Sequence, residues 1–279
     1  KNLLVYDAIN KVLNKNKILA PKLIKENYNM NYIEIQDFGN ETIFGKLNKK
    51  KNNRFNHFKK VINLLNKIQS IKNRKIKNFK NKNYTIPKYD KKILINEANL
   101  FCDWYLKKNP PKLTKDKFSK KFKRIIKRLT SNLKLKNSFF VHRDFHVSNL
   151  MLINNRIGLI DSQDALIGNR AYDLASLIDD VRLKTSKSFK KKVFNFYIKK
   201  HHKLDINKFK NDFEILSILR NLKIIGIFTR LAMRDGKKNY LKMIPYTWKL
   251  IRMRINENGS FQDLKRLLNQ NFKKKLNEN

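Results

Sequence analysis

Three short apolar runs, close together and joined by polar turns, constrain this chain more than any other feature. Ser138–Val141, Leu150–Ile153 and Arg156–Ile160 have the length and the β-branched and aromatic content of strands. A polar loop, His142-Arg143-Asp144-Phe145-His146-Val147-Ser148-Asn149, separates the first two, and Asp161 directly follows the third. The short connections leave room only for a small hairpin-like unit, from one end of which a carboxylate, an amide and a second carboxylate project. That set of groups suits phosphoryl transfer. One acid accepts the proton of an attacking hydroxyl, while an Asn and an Asp hold magnesium on nucleotide phosphates. A hairpin with solvated polar ends would explain the alternation, but not why His, Asp, Asn and Asp recur in this order.

The spacing sharpens the reading. Asp144 and Asn149 stand five positions apart, as in the H-R-D-x-x-x-x-N loop of kinase-fold enzymes. Around this loop the chain has the make-up of a globular protein: 279 residues, 41% hydrophobic and 11% aromatic, enough for one large domain or two small ones. No apolar run is long enough to span a membrane. The single cysteine, Cys102, excludes an internal disulfide framework and a Cys-based zinc site, and it reads as a buried thiol. A reducing cytoplasm is the expected compartment.

Charge is the one extreme of composition, +43 from 65 basic and 22 acidic residues. Such an excess can be a footprint for nucleic acid or an anionic membrane. Here the lysines spread over the whole chain, Asn and Ile crowd in with them, and no aromatic–basic motif stands out. Compositional bias toward Lys and Asn is the simpler source, and nucleic acid is not the expected partner.

Read in order, Leu3, Leu4, Val5, Ile9, Val12 and Leu13 mark a first helix. Pro21–Glu26 and Asn31–Gln36 read as extended, and Asp37–Asn40 as a turn. A helix, two strands and a polar crossover have the order of the last part of a kinase N-terminal lobe, ending in the hinge. No glycine precedes Gly39, so no phosphate-covering glycine loop is seen. Lys1, Lys11, Lys15 and Lys17 are phosphate-lysine candidates only by default. The chain reads as a fragment lacking the first strands; a kinase fold that never had them is the rival account. After the hinge come a short helix at Thr42–Leu47, an amphipathic helix at Arg54–Ile71 and a basic connecting loop at Lys72–Lys91. Further helices are expected at Ile93–Leu106, Thr114–Leu135, Ala171–Val181, Ser188–His201, Lys208–Arg234 and Lys237–Met253, with a polar, fraying tail from Asn256.

With these residues in view, the chain resembles the aminoglycoside phosphotransferase/choline kinase superfamily. Within it, the chain is most similar to bacterial anomeric sugar kinases that phosphorylate N-acetylmuramate and N-acetylglucosamine. The likeness is carried by Val141–Arg182, by Arg220–Tyr240 and, more weakly, by Asn96–Leu106. The resemblance implies an α+β, protein-kinase-like fold: a truncated N-terminal lobe at 1–38 and a mostly helical catalytic lobe at 39–279, with a small β-hairpin catalytic unit. It implies ATP and Mg2+ as cofactors, Asp144 as catalytic base, and Asn149 and Asp161 as metal and nucleotide ligands. Gln36 marks the hinge stretch Glu34–Phe38, whose backbone would meet adenine. His146 and Asp164 are candidates for the acceptor site; Asp164 could instead ligate metal or orient Arg143. His142 reads as structural, and Asp173, at a helix start, as a cap or a partner of the loop. Ser162 departs from the aromatic residue common in the family after the metal Asp.

The expected function is therefore an ATP-dependent small-molecule kinase acting on an amino sugar. Other hydroxylated acceptors (an aminoglycoside, choline or homoserine) are the alternative within the same chemistry, and a cationic acceptor would call on the acid-rich stretch Asp173, Asp179, Asp180. A non-catalytic basic binding protein on a degenerate kinase fold is the alternative of a different class.

Overall fold

A computed structural model describes residues 2–49 and 53–277; Lys1, one of the default phosphate lysines, lies outside them. The chain divides into two compact units, each assembled from two separate segments. One comprises Lys1–Tyr89 with Lys136–Leu204, the other Asp90–Leu135 with Asp205–Asn279. The division expected after residue 38 rests on the resemblance to kinase lobes, and neither compact unit ends there.

In the first unit, α1 (Leu3–Lys15) begins where the Asn2 side chain accepts the Leu4 amide, and it buries Ala8, Ile9, Val12 and Leu13. Strands β1 (Leu23–Asn27) and β2 (Tyr32–Ile35) pair antiparallel, and Asn31 closes the turn with φ 59°. Short α2 (Ile43–Lys49) and amphipathic α3 (Arg54–Gln69) follow. The stretch expected to be a loop then folds into a hairpin, β3 (Lys75–Lys77) with β4 (Asn83–Thr85), pairing Ile76 with Tyr84. Alternation was hidden because the two outward positions of β3 are both lysine. Tight turning comes from asparagine here: Asn78 Oδ1 accepts the Lys80 and Lys82 amides, and Asn81 takes φ 55°.

The central stretch forms two small sheets rather than one unit. Strands β6 (Leu150–Ile153) and β7 (Arg156–Leu159) make the expected hairpin around Asn154-Asn155, both with positive φ, the geometry that a two-residue hairpin loop demands. The first run, β5 (Phe139–Val141), pairs instead with β8 (Leu166–Gly168), a strand not anticipated. Three residues of Leu-Ile-Gly are too few to show a period. Helices α7 (Ala171–Ile178) and α8 (Lys187–Lys199) complete this unit.

The second unit is helical. It contains α4 (Lys91–Leu100), continued by a π-turn at Phe101–Tyr105 into short α5 (Leu106–Lys108), then α6 (Lys115–Ser131) and the long α9 (Ile206–Arg234). Phe101 stacks on Tyr105 and Phe122 and meets Trp248 and Phe272 edge-on, while Trp248 Nε1 donates to the Tyr105 hydroxyl at 3.2 Å. The stretch Lys237–Met253 is not one helix. Lys238–Met243 is 3₁₀, and α10 (Ile244–Ile255) starts anew at Pro245, whose ring fits a helix's first turn but lacks the amide to extend one. The expected fraying tail is instead ordered as α11 (Gln262–Asn277). Phe261, Leu264, Leu267, Leu268, Phe272 and Leu276 are buried there, a helical stripe masked by its many Lys and Asn neighbours. No helix among the described residues is long and apolar enough to cross a membrane.

Candidate functional site

The loop between β5 and β6 is held open by a buried acid. Asp173, in the first turn of α7, accepts the His142 amide at 2.7 Å and the Arg143 amide at 3.0 Å. Arg143 sits at φ 74°, an uncommon backbone state for a side-chain-bearing residue, and these two bonds hold it there. Its guanidinium lies 5.2 Å over the Tyr89 ring and donates to the Asp164 carbonyl at 3.0 Å. Asp164 thus meets Arg143 through its backbone, and its side chain is exposed.

Asp144 follows, half-buried, at the mouth of the loop. Its carbonyl accepts both the His146 amide and the Asn149 side-chain amide, each at 3.0 Å. The second bond fixes the Asn149 amide: with Nδ2 committed inward, Oδ1 becomes the group it presents. His142 is fully buried, and its Nε2 sits 3.1 Å from the Ile160 carbonyl. A carbonyl can only accept, so Nε2 carries the proton. Burial pushes the His142 pKa below its usual value despite the pull of Asp144 and Asp161, so the ring is neutral. It is structural, tying the loop to the end of β7. His146 is also buried.

Asp161 takes φ 62° as the chain leaves β7, and Gln163 Nε2 donates to its Oδ1 at 3.0 Å. The next residue, Ser162, is fully buried and donates its hydroxyl to Asn10 Oδ1 of α1 at 2.5 Å. A hydrogen bond stands where the family's aromatic would pack. The partner acid-rich stretch is not an open pocket. Asp173 serves the loop amides, Asp180 accepts the Val147 and Arg182 amides, and Asp179 pairs with Lys190 at 3.2 Å, all three carboxylates buried.

A cleft of about 650 Å³ brings Gln36, Asn149 and Asp161 together with Tyr6, Phe38 and Met151. Asp144, His146 and Asp164 are not among its lining. The size and the mainly apolar walls with a few oxygens suit a nucleotide-sized ligand. The Gln36 amide is already spent on the Lys22 carbonyl at 2.8 Å, so its own N–H is not offered to a ligand. Asn149 Oδ1 and the Asp161 carboxylate are hard oxygen donors from one rim. Two such ligands fit a magnesium ion that completes its shell with phosphate and water; an all-protein cage is neither needed nor present among the described residues. Phe38 belongs to the expected hinge stretch, whereas Tyr6 and Met151 escaped sequence reasoning because apolar wall residues look like core. Asn10 escaped because nothing in a helix sequence marks a bond to a residue 152 positions away.

These elements, a two-stranded β1–β2 sheet, the β6–β7 hairpin with Asp144 and Asn149 before it and Asp161 after it, and a helical remainder, define a protein-kinase-like fold. The sequence profile of the Phosphotransferase enzyme family matches residues 6–205, and the chain belongs to that family. It is similar to the N-acetylmuramate/N-acetylglucosamine kinase of Neisseria meningitidis serogroup B, 34% identical over 166 residues that cover 57% of this chain and 50% of that protein. The enzyme of the same name from Pseudomonas aeruginosa is 31% identical over 66% of this chain and 56% of its own length. The chain thus spans about half the length of the curated relatives it matches. Among solved structures, a choline/ethanolamine kinase family protein from Mesorhizobium loti superposes with TM-score 0.63 at 10% identity, covering 96% of this chain and 84% of that one. Ethanolamine kinase from Plasmodium vivax superposes with TM-score 0.60 at 18% identity, covering 88% and 73%.

Proposed function

We propose that this chain is the core of an ATP- and Mg2+-dependent small-molecule kinase that phosphorylates the anomeric hydroxyl of N-acetylmuramate or N-acetylglucosamine. The observation that carries the proposal is the cleft joining the hinge residue Gln36 to Asn149 and Asp161. The amino-sugar acceptor is supported by the names of the curated relatives. In this reading the hinge side of the cleft, with Tyr6, Phe38 and Met151, packs the base of the nucleotide. Asn149 Oδ1 and Asp161 hold the magnesium, which when bound neutralises charge on the transferred phosphoryl group. Asp144 takes the proton of the sugar hydroxyl as its oxygen attacks, and the loop bonds to Asp173 and Asn149 keep that carboxylate in place. Among other acceptors, a cationic one is disfavoured because Asp173, Asp179 and Asp180 are buried and already engaged.

The test is Mg·ATP-dependent phosphorylation by the full gene product, with N-acetylmuramate, N-acetylglucosamine and kanamycin as acceptors. Product at the sugar C1, lost about 10²–10⁴-fold in Asp144→Asn while nucleotide binding persists, is the expected result. Nucleotide binding without turnover on either sugar would sink the acceptor assignment. Absence of nucleotide binding would sink the kinase reading itself.

A further inference from the structure

A second cleft lies along α1, wholly within the first unit, and shares only Pro21 with the lining of the first. It has a volume of about 700 Å³, and its walls come from α1, from Pro21–Leu23 and from the β3–β4 hairpin. We propose that this cleft binds a small molecule bearing two or more phosphoryl charges, a site distinct from the Asn149/Asp161 cleft and independent of the kinase reading.

Charge is the first reason. Lys11, Lys15, Lys22, Lys75 and Lys77 line the opening against one carboxylate, Asp7. Asp7 is 3% exposed and already engaged: Lys11 Nζ lies 2.9 Å from its Oδ2, an ion-pair distance although off the direction of a hydrogen bond. The four remaining ammonium groups have no ion-pair partner among the described residues. Scattered lysines would follow from composition alone. Four unpaired ones from three separate elements lining one concavity focus a positive field that an anion relieves. One local arrangement carries that repulsion without a counter-charge: Lys75 and Lys77 share one face of β3.

Shape is the second reason. The volume exceeds what a bare phosphate needs and falls in the range of small-molecule sites. Pro21, Leu23 and Ile76 give the cleft an aliphatic wall for the body of a ligand. That wall is pre-organised. Asn14 Nδ2 donates to the Asn10 and Ala20 carbonyls, and Asn10 Nδ2 to the Pro21 carbonyl, each at 3.0 Å. Lysine suits this task as a flexible point charge that follows phosphoryl oxygens without the planar geometry arginine imposes.

The experiment is titration calorimetry of the full gene product with pyrophosphate. EDTA is present so that magnesium-dependent binding at Asn149 and Asp161 does not contribute, and glucose serves as an uncharged control. Saturable pyrophosphate binding is expected, weaker at 300 mM than at 50 mM salt. It should fall at least tenfold in the double variant Lys75→Glu/Lys77→Glu and stay within twofold in Asp161→Ala. Lys15→Glu/Lys22→Glu gives the same test should the hairpin variant not fold. Unchanged binding in the charge-reversal variants, loss in Asp161→Ala, or no saturable binding up to 10 mM ligand would each overturn the proposal. Loss of kinase turnover with this binding intact would fault the functional reading and leave this one standing.

Discussion

Asp173 performs a task that its neighbours cannot share. Its two oxygens serve the His142 amide, which is buried, and the half-buried Arg143 amide. Asp173→Ala strands both donors, which should cost about 2–5 kcal/mol in urea denaturation, with loop geometry and turnover lost alongside. A loss under 1 kcal/mol would mean that the loop finds other acceptors. Cys102 offers a contrasting test. Burial pushes its thiol pKa up to about 12, so the reactive thiolate is scarce near neutrality. A disulfide-exchange reagent at pH 8 should leave the folded protein unmodified and react fully once urea is added; prompt reaction in the native state would contradict the burial. Of the cleft, Asn149 and Asp161 were legible because their places around the hairpin follow from spacing in the sequence, and the two line it together, whereas Asp144 stands outside its lining. Asp173 reads from its place at a helix start as a cap or a partner of the loop, and it does accept two loop amides, but the use of Asp179 and Asp180 was not legible. A carboxylate's sequence neighbours do not reveal whether it faces solvent or a buried amide.

Between elements, the decisive contact is a missing side chain. A methyl group on Gly226 of α9 would come within 2.3 Å of the Leu100 carbonyl carbon and 2.4 Å of its oxygen, both backbone atoms that cannot swing aside. Gly226→Ala should therefore destabilise by about 3 kcal/mol or more by forcing α4 away from α9, measurable as a lowered denaturation midpoint. A variant within 0.5 kcal/mol of wild type would refute that tight crossing. The same spot shows why some elements could be read and others not. Long periodic helices such as α3, α6 and α9 declare themselves by spacing. Helix α11 carries a buried stripe too, but it kinks at Phe272 (φ −136°), and diluted by Lys, Asn and Gln the stripe reads as a tail. Partnership between strands is harder still. The pairing of β5 with β8 rests on a contact across 24 or more intervening residues, for which three-residue strands leave no local trace.

For the molecule as a whole, titration should bound stability on both sides. Burial and Arg170 push the His201 pKa down to about 4, and burial also lowers that of His142. Both rings bind protons more readily unfolded, so their contribution is present above about pH 6.5 and is lost as pH falls, for His201 toward about 4. Burial raises Cys102 and Tyr197 to about 12, so above their ordinary values the unfolded chain ionises first and stability falls as pH rises. Denaturation midpoints should thus drop from pH 7 to pH 5 and again from pH 8 to pH 10.5; a flat profile across either interval would contradict the burial of the corresponding pair. The division of the chain has a consequence in time. Asp90–Leu135 belongs with Asp205–Asn279, yet all of Lys136–Leu204 is made between them. On the ribosome, α4 and α6 must wait on the order of ten seconds for α9 while the other unit closes first. During that interval Phe101, Phe118 and Phe122 have neither Trp248 nor Phe272 to cover them, which makes this half-built aromatic cluster the natural client of a chaperone during synthesis.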